Sequence, residues 1–383
     1  MGQTSLDDET RALITLSLVP GVGATMLGKL LEHFDSARSC LSAPESLLRR
    51  AGLSSRLVVA VMQARERGLG QAEDLLHAPG LSFVRKDDPT YPRLLKEIYD
   101  PPPLLYVKGS LGEGERSIAI VGSRWADAAS LRRAREIAAG AAEGGFTVVS
   151  GLAEGVDTQA HLGALDGDGR TVAVLANGLA TVYPVRNTDL AERVTESGAL
   201  ISERRMDAAP TARNFPSRNR IISGMCRATL VVQAPKRSGA LITAHRALEE
   251  GREVFAVPWD DCDEAAGSNL LIQDGATPVS SAEELVEAVL ALPEAPSSTG
   301  RPLPSRKEGE ADLPATEQAE RVPSNLTDNE SAVWEALSAE PTHLDALVQL
   351  TGLPAGAVGG VLLLLEMRSV VRQYPGKRFA RKA

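Results

Sequence analysis

Between residues 117 and 292, short segments that are apolar at nearly every position alternate with longer segments of helix-forming composition. Strands that are buried on both faces have this continuous apolar character, and they occur in parallel sheets covered by helices. The alternation therefore predicts an α/β fold built on an extended Rossmann-like parallel sheet. The predicted strands are Ile118–Val121, Phe146–Ser150, Thr171–Ala176, Ala199–Ser202, Ala228–Gln233, Glu253–Val257 and Thr277–Val279, and the predicted last helix is Ala282–Leu292.

The chain before this sheet divides into two predicted parts. Residues 1–78 are rich in Ala and Leu with breaks at Pro and Gly, which predicts an all-α domain. Within it, Leu18–Leu31 resembles a helix-hairpin-helix (SAM-like) motif, whose turn could hold a DNA phosphate or simply join two packed helices. Residues 79–292 form the predicted Rossmann-like domain. Its first part, Leu81–Gly109, is interpreted as a connector that packs on this domain, because Pro101–Pro103 excludes a regular helix and the apolar pieces on either side of the prolines are predicted strands.

The chain after the sheet predicts a linker and a small domain. Residues 293–325 are dense in Pro, Ser and Glu, which predicts a flexible linker. Residues 326–383 predict a winged helix whose third helix carries Leu362–Leu365 and no basic residue before Arg368. This composition favours protein contact or structural support over reading of a DNA groove. The predicted elements are the helices Glu330–Ser338, His343–Thr351 and Ala355–Met367 and the strands Val370–Tyr374 and Arg378–Ala380.

The loops that follow three of the predicted strands are rich in Gly, Ser and Thr. In an open parallel sheet, ligands bind where the carboxyl ends of the strands meet these loops. Glycines let backbone amides approach an anion closely, and hydroxyl groups can donate hydrogen bonds to it. The loops therefore predict a surface lined for phosphate. The candidate binding residues on them are Gly122, Ser123, Arg124, Gly151, Gly155, Lys236, Ser238, Gly239 and Thr243.

The stretch Thr211–Met225 concentrates positive charge in a chain whose net charge is −9 and whose aromatic content is 4%. Three arginines surround one phenylalanine. A guanidinium group holds phosphate oxygens and an aromatic ring stacks on an unpaired base, so the combination suits single-stranded nucleic acid. We expect the ring to stack a base, the last two arginines to hold phosphates, and the asparagine between them to fix the turn or reach a base edge. The alternative is a helix start whose arginines pair with carboxylates. The candidate residues are Arg213, Phe215, Arg218, Asn219 and Arg220.

The sequence contains no motif for a bound cofactor. It lacks the P-loop pattern and the G-x-G-x-x-G pattern, and its three cysteines indicate neither a disulfide framework nor a zinc site. Asp157 and His161 are spaced for one helix face and could form a catalytic dyad or half of a metal site, but no third partner is evident. We expect Asp157 to hold the loop or cap the helix and His161 to be packed. Glu154 and Glu203 are expected to be ion-pair partners of arginines. No catalytic, cofactor-binding or metal-binding residue is predicted.

The acidic composition limits the ways in which the chain can bind nucleic acid. It argues against indiscriminate coating, although a local basic patch remains compatible with it. The N-terminal segment has no apolar core, and no run of about 18 apolar residues occurs. We therefore expect a cytoplasmic protein.

Five motifs in order resemble the DprA/Smf family, the DNA-processing proteins of natural transformation. They are I-A-I-V-G-S-R, V-V-S-G-L-A-E-G-V-D-T-Q-A-H, V-A-V-L-A-N-G-L followed by Y-P, N-F-P-S-R-N-R-I-I-S-G, and S-G-A-L-I-T-A-H-R-A-L-E-E-G-R-E-V-F-A-V-P. The resemblance implies a protein that binds incoming single-stranded DNA and protects it. It also implies a homodimer, formed through the Rossmann-like domain, that helps load the RecA recombinase without established catalytic activity.

The resemblance also assigns roles to particular positions. The Gly122–Arg124 loop, Phe215 and the Arg218–Arg220 group correspond to the DNA pocket of the family, and the Ser238–Thr243 loop is placed to join them. We expect self-association to involve the helix Thr243–Gly251.

This chain departs from the family pattern at several positions. Glu154 stands where the family usually has Arg, Trp259 where it usually has Gly, and Ala212 where many members have Lys. Trp125 begins a Trp-Ala-Asp run at a place where a Ser, Pro or Tyr followed by Gly is typical. The altered charges predict DNA binding that is weaker than is usual in the family.

Two other classes of function are compatible with a Rossmann-like core. Nucleoside-monophosphate phosphoribohydrolases of the lysine-decarboxylase-like group share such a core and carry a P-G-G-x-G-T-x-x-E motif with a catalytic Glu. The nearest segment here, Ser238–His245, has no Glu in register, which disfavours this alternative. A purely structural adaptor would bind a protein partner and no DNA.

Overall fold

The computed structural model describes residues 7–70, 72–293, 328–338, 342–354, 358, 361–362, 371–374 and 378–381. The chain separates into two compact units, Met1–Ser298 and Thr299–Ala383. Among the described residues, no helix combines the length and the apolar character that a membrane crossing requires. The predicted flexible linker lies almost wholly outside the described ranges.

Six helices form the first part of the first unit as far as it is described. Asp7 caps the first helix, because its carboxylate accepts hydrogen bonds of 2.9 Å from the N–H groups of Glu9 and Thr10. A turn at residues 20–23 joins the first two helices, and Gly21 has a φ of +95° there, which favours glycine. Two helices therefore meet where a helical hairpin was predicted, and its contact with DNA stays a prediction. The helices are α1 (Asp8–Ser17), α2 (Ala24–Phe34), α3 (Ala37–Ser42), α4 (Glu45–Arg50), α5 (Ser55–Arg67) and α6 (Ala72–Leu76).

A nine-stranded sheet forms the centre of the first unit. Its strands are β1 (Leu81–Arg85), β2 (Leu104–Gly109), β3 (Ser117–Val121), β4 (Thr147–Ser150), β5 (Thr171–Val174), β6 (Ala199–Ser202), β7 (Ala228–Val231), β8 (Glu253–Ala256) and β9 (Thr277–Pro278). They lie in the order β1-β2-β6-β5-β4-β3-β7-β8-β9. Strands β3 to β9 pair in parallel, which confirms the predicted Rossmann-like sheet, although most strands differ from their predicted bounds by one or two residues.

The segment interpreted as a connector supplies the two remaining strands of this sheet. β2 pairs antiparallel with β6, with Tyr106 opposite Ser202, and β1 pairs antiparallel with β2. The proline run lies in the loop that immediately precedes β2. It excludes a helix, but it carries no information about a partner strand so distant in the sequence.

Helices cover both faces of the sheet. Ile118 and Ile120 of β3 pack in a core with α7, α8 and α13, whereas Ala119 and Val121 pack on the opposite face with α10, α11 and α12. Tyr106 of β2 belongs to a third core, which joins the sheet to α9 and to the N-terminal helices. These helices are α7 (Ala128–Glu143), α8 (Val156–Asp166), α9 (Thr188–Ser197), α10 (Asn214–Gly224), α11 (Gly239–Glu249), α12 (Ala266–Gln273) and α13 (Ala282–Ala291), and short 3₁₀ helices occur at Leu94–Glu97 and Val185–Asn187.

The chain changes its direction across the sheet at β3. From β3 it proceeds through β4, β5 and β6 on one side, and α10 then returns it to β7 on the other side. The loops that leave the carboxyl ends of β3 and β7 therefore diverge. Open parallel sheets bind ligands in the crevice at such a switch point.

The second unit combines helices with a three-stranded antiparallel sheet of order β10-β12-β11. Trp334 belongs to its core, and the guanidinium carbon of Arg381 lies 4.8 Å from the centre of the Trp334 ring. The strand β10 was not predicted. The predicted helix Ala355–Met367 lies mostly outside the described residues, which are helical at positions 358, 361 and 362. The elements are α14 (Asp328–Ala336), β10 (Thr342–His343), α15 (Leu344–Thr351), β11 (Val371–Tyr374) and β12 (Arg378–Arg381).

Candidate functional site

A cavity of about 280 Å³ opens at the switch point between β3 and β7. Its wall consists of the end of β3 and the loop after it, helix α10, the loop between β7 and α11 with the first turn of α11, and Ala153 and Asp157 from the β4 loop and the start of α8. The predicted binding residues that line it are Gly122, Ser123, Arg124, Phe215, Arg218, Asn219, Ser238, Gly239 and Thr243. The predicted residues that do not line it are Gly151, Gly155, Arg213, Arg220 and Lys236. Trp125 and Arg237 line the cavity and were not predicted.

The glycines of the β3 and β4 loops are required by close packing. A Cβ on Gly122 would lie 2.7 Å from a methyl carbon of Val156, and a Cβ on Gly155 would lie 2.3 Å from the carbonyl oxygen of Ser123. A Cβ on Gly151 would lie 2.5 Å from a guanidinium nitrogen of Arg218. The absence of a side chain at these glycines therefore lets the loops pack closely against their neighbours. Their predicted contact with a ligand stays a prediction.

The candidate binding residues of helix α10 lie on two different faces of the helix. Phe215, Arg218 and Asn219 are spaced three and four positions apart, so they share the face that lines the cavity. Arg220 follows one position later and lies off that face. This spacing is visible in the sequence, and it could have separated Arg220 from the other candidates.

Arg218 lies in the floor of the cavity and is only 5% exposed. Its guanidinium donates to the carbonyl oxygen of Gly151 at 2.8 Å and to that of Val174, and its Nε donates to Asn219 at 3.2 Å. Burial lowers its pKa to about 10, and the carboxylate of Asp157 opposes this shift. Arg218 thus joins α10 to the ends of β4 and β5, and its predicted phosphate contact stays a prediction.

Arg220 is 7% exposed and is paired with two carboxylates. Its Nη2 donates to Glu203 at 2.5 Å, and its Nε lies 3.0 Å from Asp100. The interpretation of Glu203 as an ion-pair partner is confirmed. A phosphate could reach Arg220 only if this buried cluster opened, so the cavity offers no support for that predicted contact.

Two exposed arginines remain at the cavity, Arg124 and Arg237. Neither forms an ion pair within the described part of the chain. The guanidinium carbon of Arg124 lies 5.2 Å from the centre of the Phe215 ring, and the Tyr183 ring meets Phe215 edge-on at 5.9 Å. The cavity therefore combines available positive charge with aromatic surface.

Asp157 and His161 do not form a dyad. Asp157 accepts hydrogen bonds from the N–H groups of Gly151 at 3.1 Å and Ala153 at 3.3 Å, which confirms that it holds the β4 loop. Burial raises the pKa of Asp157, although Arg218 opposes the shift. His161 is fully buried and contacts Thr171 at 2.7 Å, which confirms it as a packed histidine.

Glu154 and Trp259, two of the residues that depart from the family pattern, each contact another part of the protein. Glu154 lies 3.0 Å from Arg186, so its negative charge is paired. The indole N–H of Trp259 donates to the carbonyl oxygen of Val232 at 2.6 Å. Neither side chain lines the cavity. Their effect on affinity stays a prediction.

A buried amide connects the two loops that form the crevice. The side chain of Gln233, which follows β7, donates to the Asp127 carboxylate at 2.6 Å and accepts from the Asp127 N–H at 3.3 Å. Asp127 in turn caps α7 by accepting from the N–H of Ser130 at 2.8 Å. Gln233 thereby holds the β7 loop against the start of α7.

Replacing Gln233 with Leu is expected to lower the free energy of unfolding by about 1 kcal/mol, because the hydrogen bonds to Asp127 are lost while that exposed carboxylate is hydrated instead. Equilibrium denaturation with urea measures the loss. Gln273→Leu, at an exposed position on α12, is the matched control and is expected to change little. Equal stability of the two variants would contradict the role assigned to Gln233.

The fold and the cavity define a Rossmann-like protein with a cationic and aromatic crevice at the switch point of its sheet. Residues 82–290 match the family described as DNA recombination-mediator protein A, and residues 317–377 match the DprA winged helix domain. The chain is 36% identical to Protein Smf of Synechocystis sp. over 393 residues, covering 96% of this chain and 97% of that protein. The chain therefore belongs to the DprA/Smf family, as its motifs predicted, and its C-terminal domain is of the winged-helix class.

Solved structures of other DNA processing proteins are similar to this chain. DNA processing protein A of Streptococcus pneumoniae is 32% identical with a TM-score of 0.63, covering 74% of this chain and 98% of that one. DNA processing protein A of Helicobacter pylori, described for its single-stranded DNA binding mode, is 25% identical with a TM-score of 0.50. That likeness covers 55% of this chain and 95% of the other.

Proposed function

We propose that the protein binds single-stranded DNA entering the cell during natural transformation, protects it and helps load the RecA recombinase. The observation that carries the proposal is the pair of exposed guanidinium groups, Arg124 and Arg237, which form no ion pair with the described residues and lie at a crevice lined with aromatic rings. Guanidinium groups hold phosphates, and aromatic rings stack on bases that are not already paired in a duplex. The recombination-mediator family and the DNA binding mode described for the H. pylori protein support the same function.

Removing both exposed charges is expected to weaken binding through its electrostatic component. The double variant Arg124→Ala with Arg237→Ala should bind labelled oligothymidine at least about tenfold more weakly than the natural chain. The slope of log affinity against log salt should fall by about 0.7 for each phosphate that the variant no longer neutralises. Fluorescence polarisation over a salt series measures both quantities.

Helix α5 supplies the control for this experiment. Arg56→Ala with Arg67→Ala removes the same number of exposed charges away from the cavity. This variant should keep the affinity and the salt slope of the natural chain. An equal loss in both double variants, or no preference for single strands over duplex of the same length, would overturn the proposal.

We further propose that the protein acts in the cytoplasm as a homodimer and without catalysis. The exposed Leu248 on α11 and Leu270 on α12 support self-association through the Rossmann-like domain. Sedimentation velocity measures the oligomeric state. The rate of RecA filament formation on single-stranded DNA, with and without the protein, tests recombinase loading. Release of adenine from AMP would contradict the non-enzymatic assignment.

A further inference from the structure

Trp125 is a large aromatic side chain without a packing role. It is 84% exposed at the cavity, whereas Trp334 is 7% exposed in the core of the second unit. Trp259 packs against the core and donates its indole N–H to a backbone carbonyl. Apolar surface left in water lowers stability relative to burial, so packing does not explain an indole in this position.

The backbone that carries Trp125 is held in place on both sides. Its N–H donates to Ser123 Oγ at 3.1 Å. Gly155 packs so closely below it that a Cβ there would lie 2.7 Å from the carbonyl oxygen of Arg124. The capped start of α7 follows at Asp127. The ring is therefore exposed on an ordered backbone, and a contact with it needs little additional ordering of the chain.

The other cavity aromatic is already in contact with neighbouring groups. Phe215 has the Arg124 guanidinium over its ring and the Tyr183 ring at its edge. Among the described residues, no ring or cation lies against Trp125 in the same way. A planar ligand that enters the cavity can reach the Trp125 faces without displacing a side chain from them.

We propose that Trp125 is a stacking site for one unpaired nucleobase, beside the phosphate contact of Arg124. The inference rests on the proposed binding of single-stranded DNA and adds a base contact to it. An indole ring offers a wide apolar face to any of the bases, so the contact adds affinity with little sequence preference. The contact depends on the base and not on phosphate charge.

A strand without bases separates stacking from charge. The natural chain and Trp125→Ala are titrated with oligothymidine and with a fully abasic strand of the same length. Trp125→Ala is expected to lose about tenfold in affinity for oligothymidine and nothing for the abasic strand. Its salt slope should stay unchanged, because the variant neutralises the same phosphates. Arg124→Ala is expected to weaken the binding of both strands.

Two further variants control for the fold and for the aromatic ring. Trp125→Phe should recover most of the affinity for oligothymidine, because it keeps a stacking face. Tyr99→Ala removes a ring that is 95% exposed and does not line the cavity, and it should bind both strands like the natural chain. Saturating oligothymidine should also quench tryptophan emission in the natural chain and much less in Trp125→Phe.

The outcomes distinguish the stacking site from the proposed function. Unchanged oligothymidine affinity in Trp125→Ala, together with a loss in Arg124→Ala, overturns the stacking site and leaves DNA binding intact. An equal loss for both strands in Trp125→Ala also overturns it, because the residue would then act on the backbone or on the loop. Failure of the natural chain to bind oligothymidine overturns both proposals. If Trp125 instead contacts a protein partner, the variant leaves DNA affinity unchanged, which is the first of these outcomes.

Discussion

Replacing Arg218 with Met is expected to lower the free energy of unfolding by about 3 kcal/mol, because each buried acceptor that loses its donor costs about 1–3 kcal/mol. The change leaves the carbonyl oxygens of Gly151 and Val174 without their donor and removes the positive charge that favours the ionised form of Asp157. Because Arg218 connects α10 to the ends of β4 and β5, the cavity floor should loosen as well. Denaturation with urea measures the loss.

Arg213 and Gly151 provide the controls for this variant. Arg213→Met removes an exposed arginine at the start of the same helix and should change stability by no more than about 0.5 kcal/mol. A Cβ on Gly151 would collide with the Arg218 guanidinium, so Gly151→Ala should destabilise the natural chain more than it destabilises Arg218→Met. Additive losses in this double-mutant cycle would contradict the direct contact. A stability of Arg218→Met equal to that of Arg213→Met would contradict the structural role.

Acid is expected to destabilise the fold through His161. Thr171 Oγ1 donates to Val148 at 2.8 Å, so it accepts its 2.7 Å hydrogen bond from His161 Nδ1. The opposite ring nitrogen, Nε2, has no hydrogen-bond partner among the described residues. Burial, helped by the charge of Arg218, lowers the pKa of His161 from 6.5 to about 3. Between these values the unfolded chain binds a proton that the folded chain does not. The contribution of His161 therefore falls as pH falls, by about 1 kcal/mol per pH unit.

Glu250 acts in the opposite direction over part of this range. Burial raises its pKa from 4.5 to about 7, so between these values the folded chain binds a proton that the unfolded chain does not. Because the two effects oppose each other, the pH dependence of the unfolding free energy of the natural chain alone does not isolate the contribution of His161. The measurement is instead the difference in unfolding free energy between the natural chain and His161→Asn across pH, in which the contribution of Glu250 cancels.

The difference should shift in favour of His161→Asn as the pH falls below about 6.5, because the variant has no imidazole to protonate. A constant offset from the smaller side chain does not affect this slope. His245→Asn, at an exposed position on α11, is the matched control and is expected to keep the pH dependence of the natural chain. Parallel profiles of the natural chain and His161→Asn would contradict the buried neutral histidine.

Much of the fold could be predicted because its strands are buried on both faces. Their continuous apolar character identifies β3 to β8 directly. The apolar pieces that form β1 and β2 were predicted as strands of a connector and not as members of the sheet. Their place in the sheet depends on the pairing of β2 with β6, and local composition does not encode such a partner. The order of the strands depends on distant pairings in the same way.

The candidate site was predicted in part. Glycine-rich loops at strand ends and an Arg/Phe cluster identified most of the cavity wall, because their chemistry is local. Trp125 and Arg237 were missed, although Arg237 lies within a loop that the sequence had selected and Trp125 directly follows another. The reason is that a residue type within a loop does not indicate whether its side chain turns towards the crevice.

The sequence by itself determined the α/β fold class, the family and the loops that form the site, because strand burial, helix periodicity and loop composition are properties of neighbouring residues. Only the tertiary structure decided which arginines remain available to a ligand. Arg218 donates to the ends of β4 and β5 and Arg220 is paired with Glu203 and Asp100, whereas Arg124 and Arg237 stay exposed. A guanidinium group is neutralised by whatever oxygen atoms the fold brings to it, and here those oxygens come from distant parts of the chain.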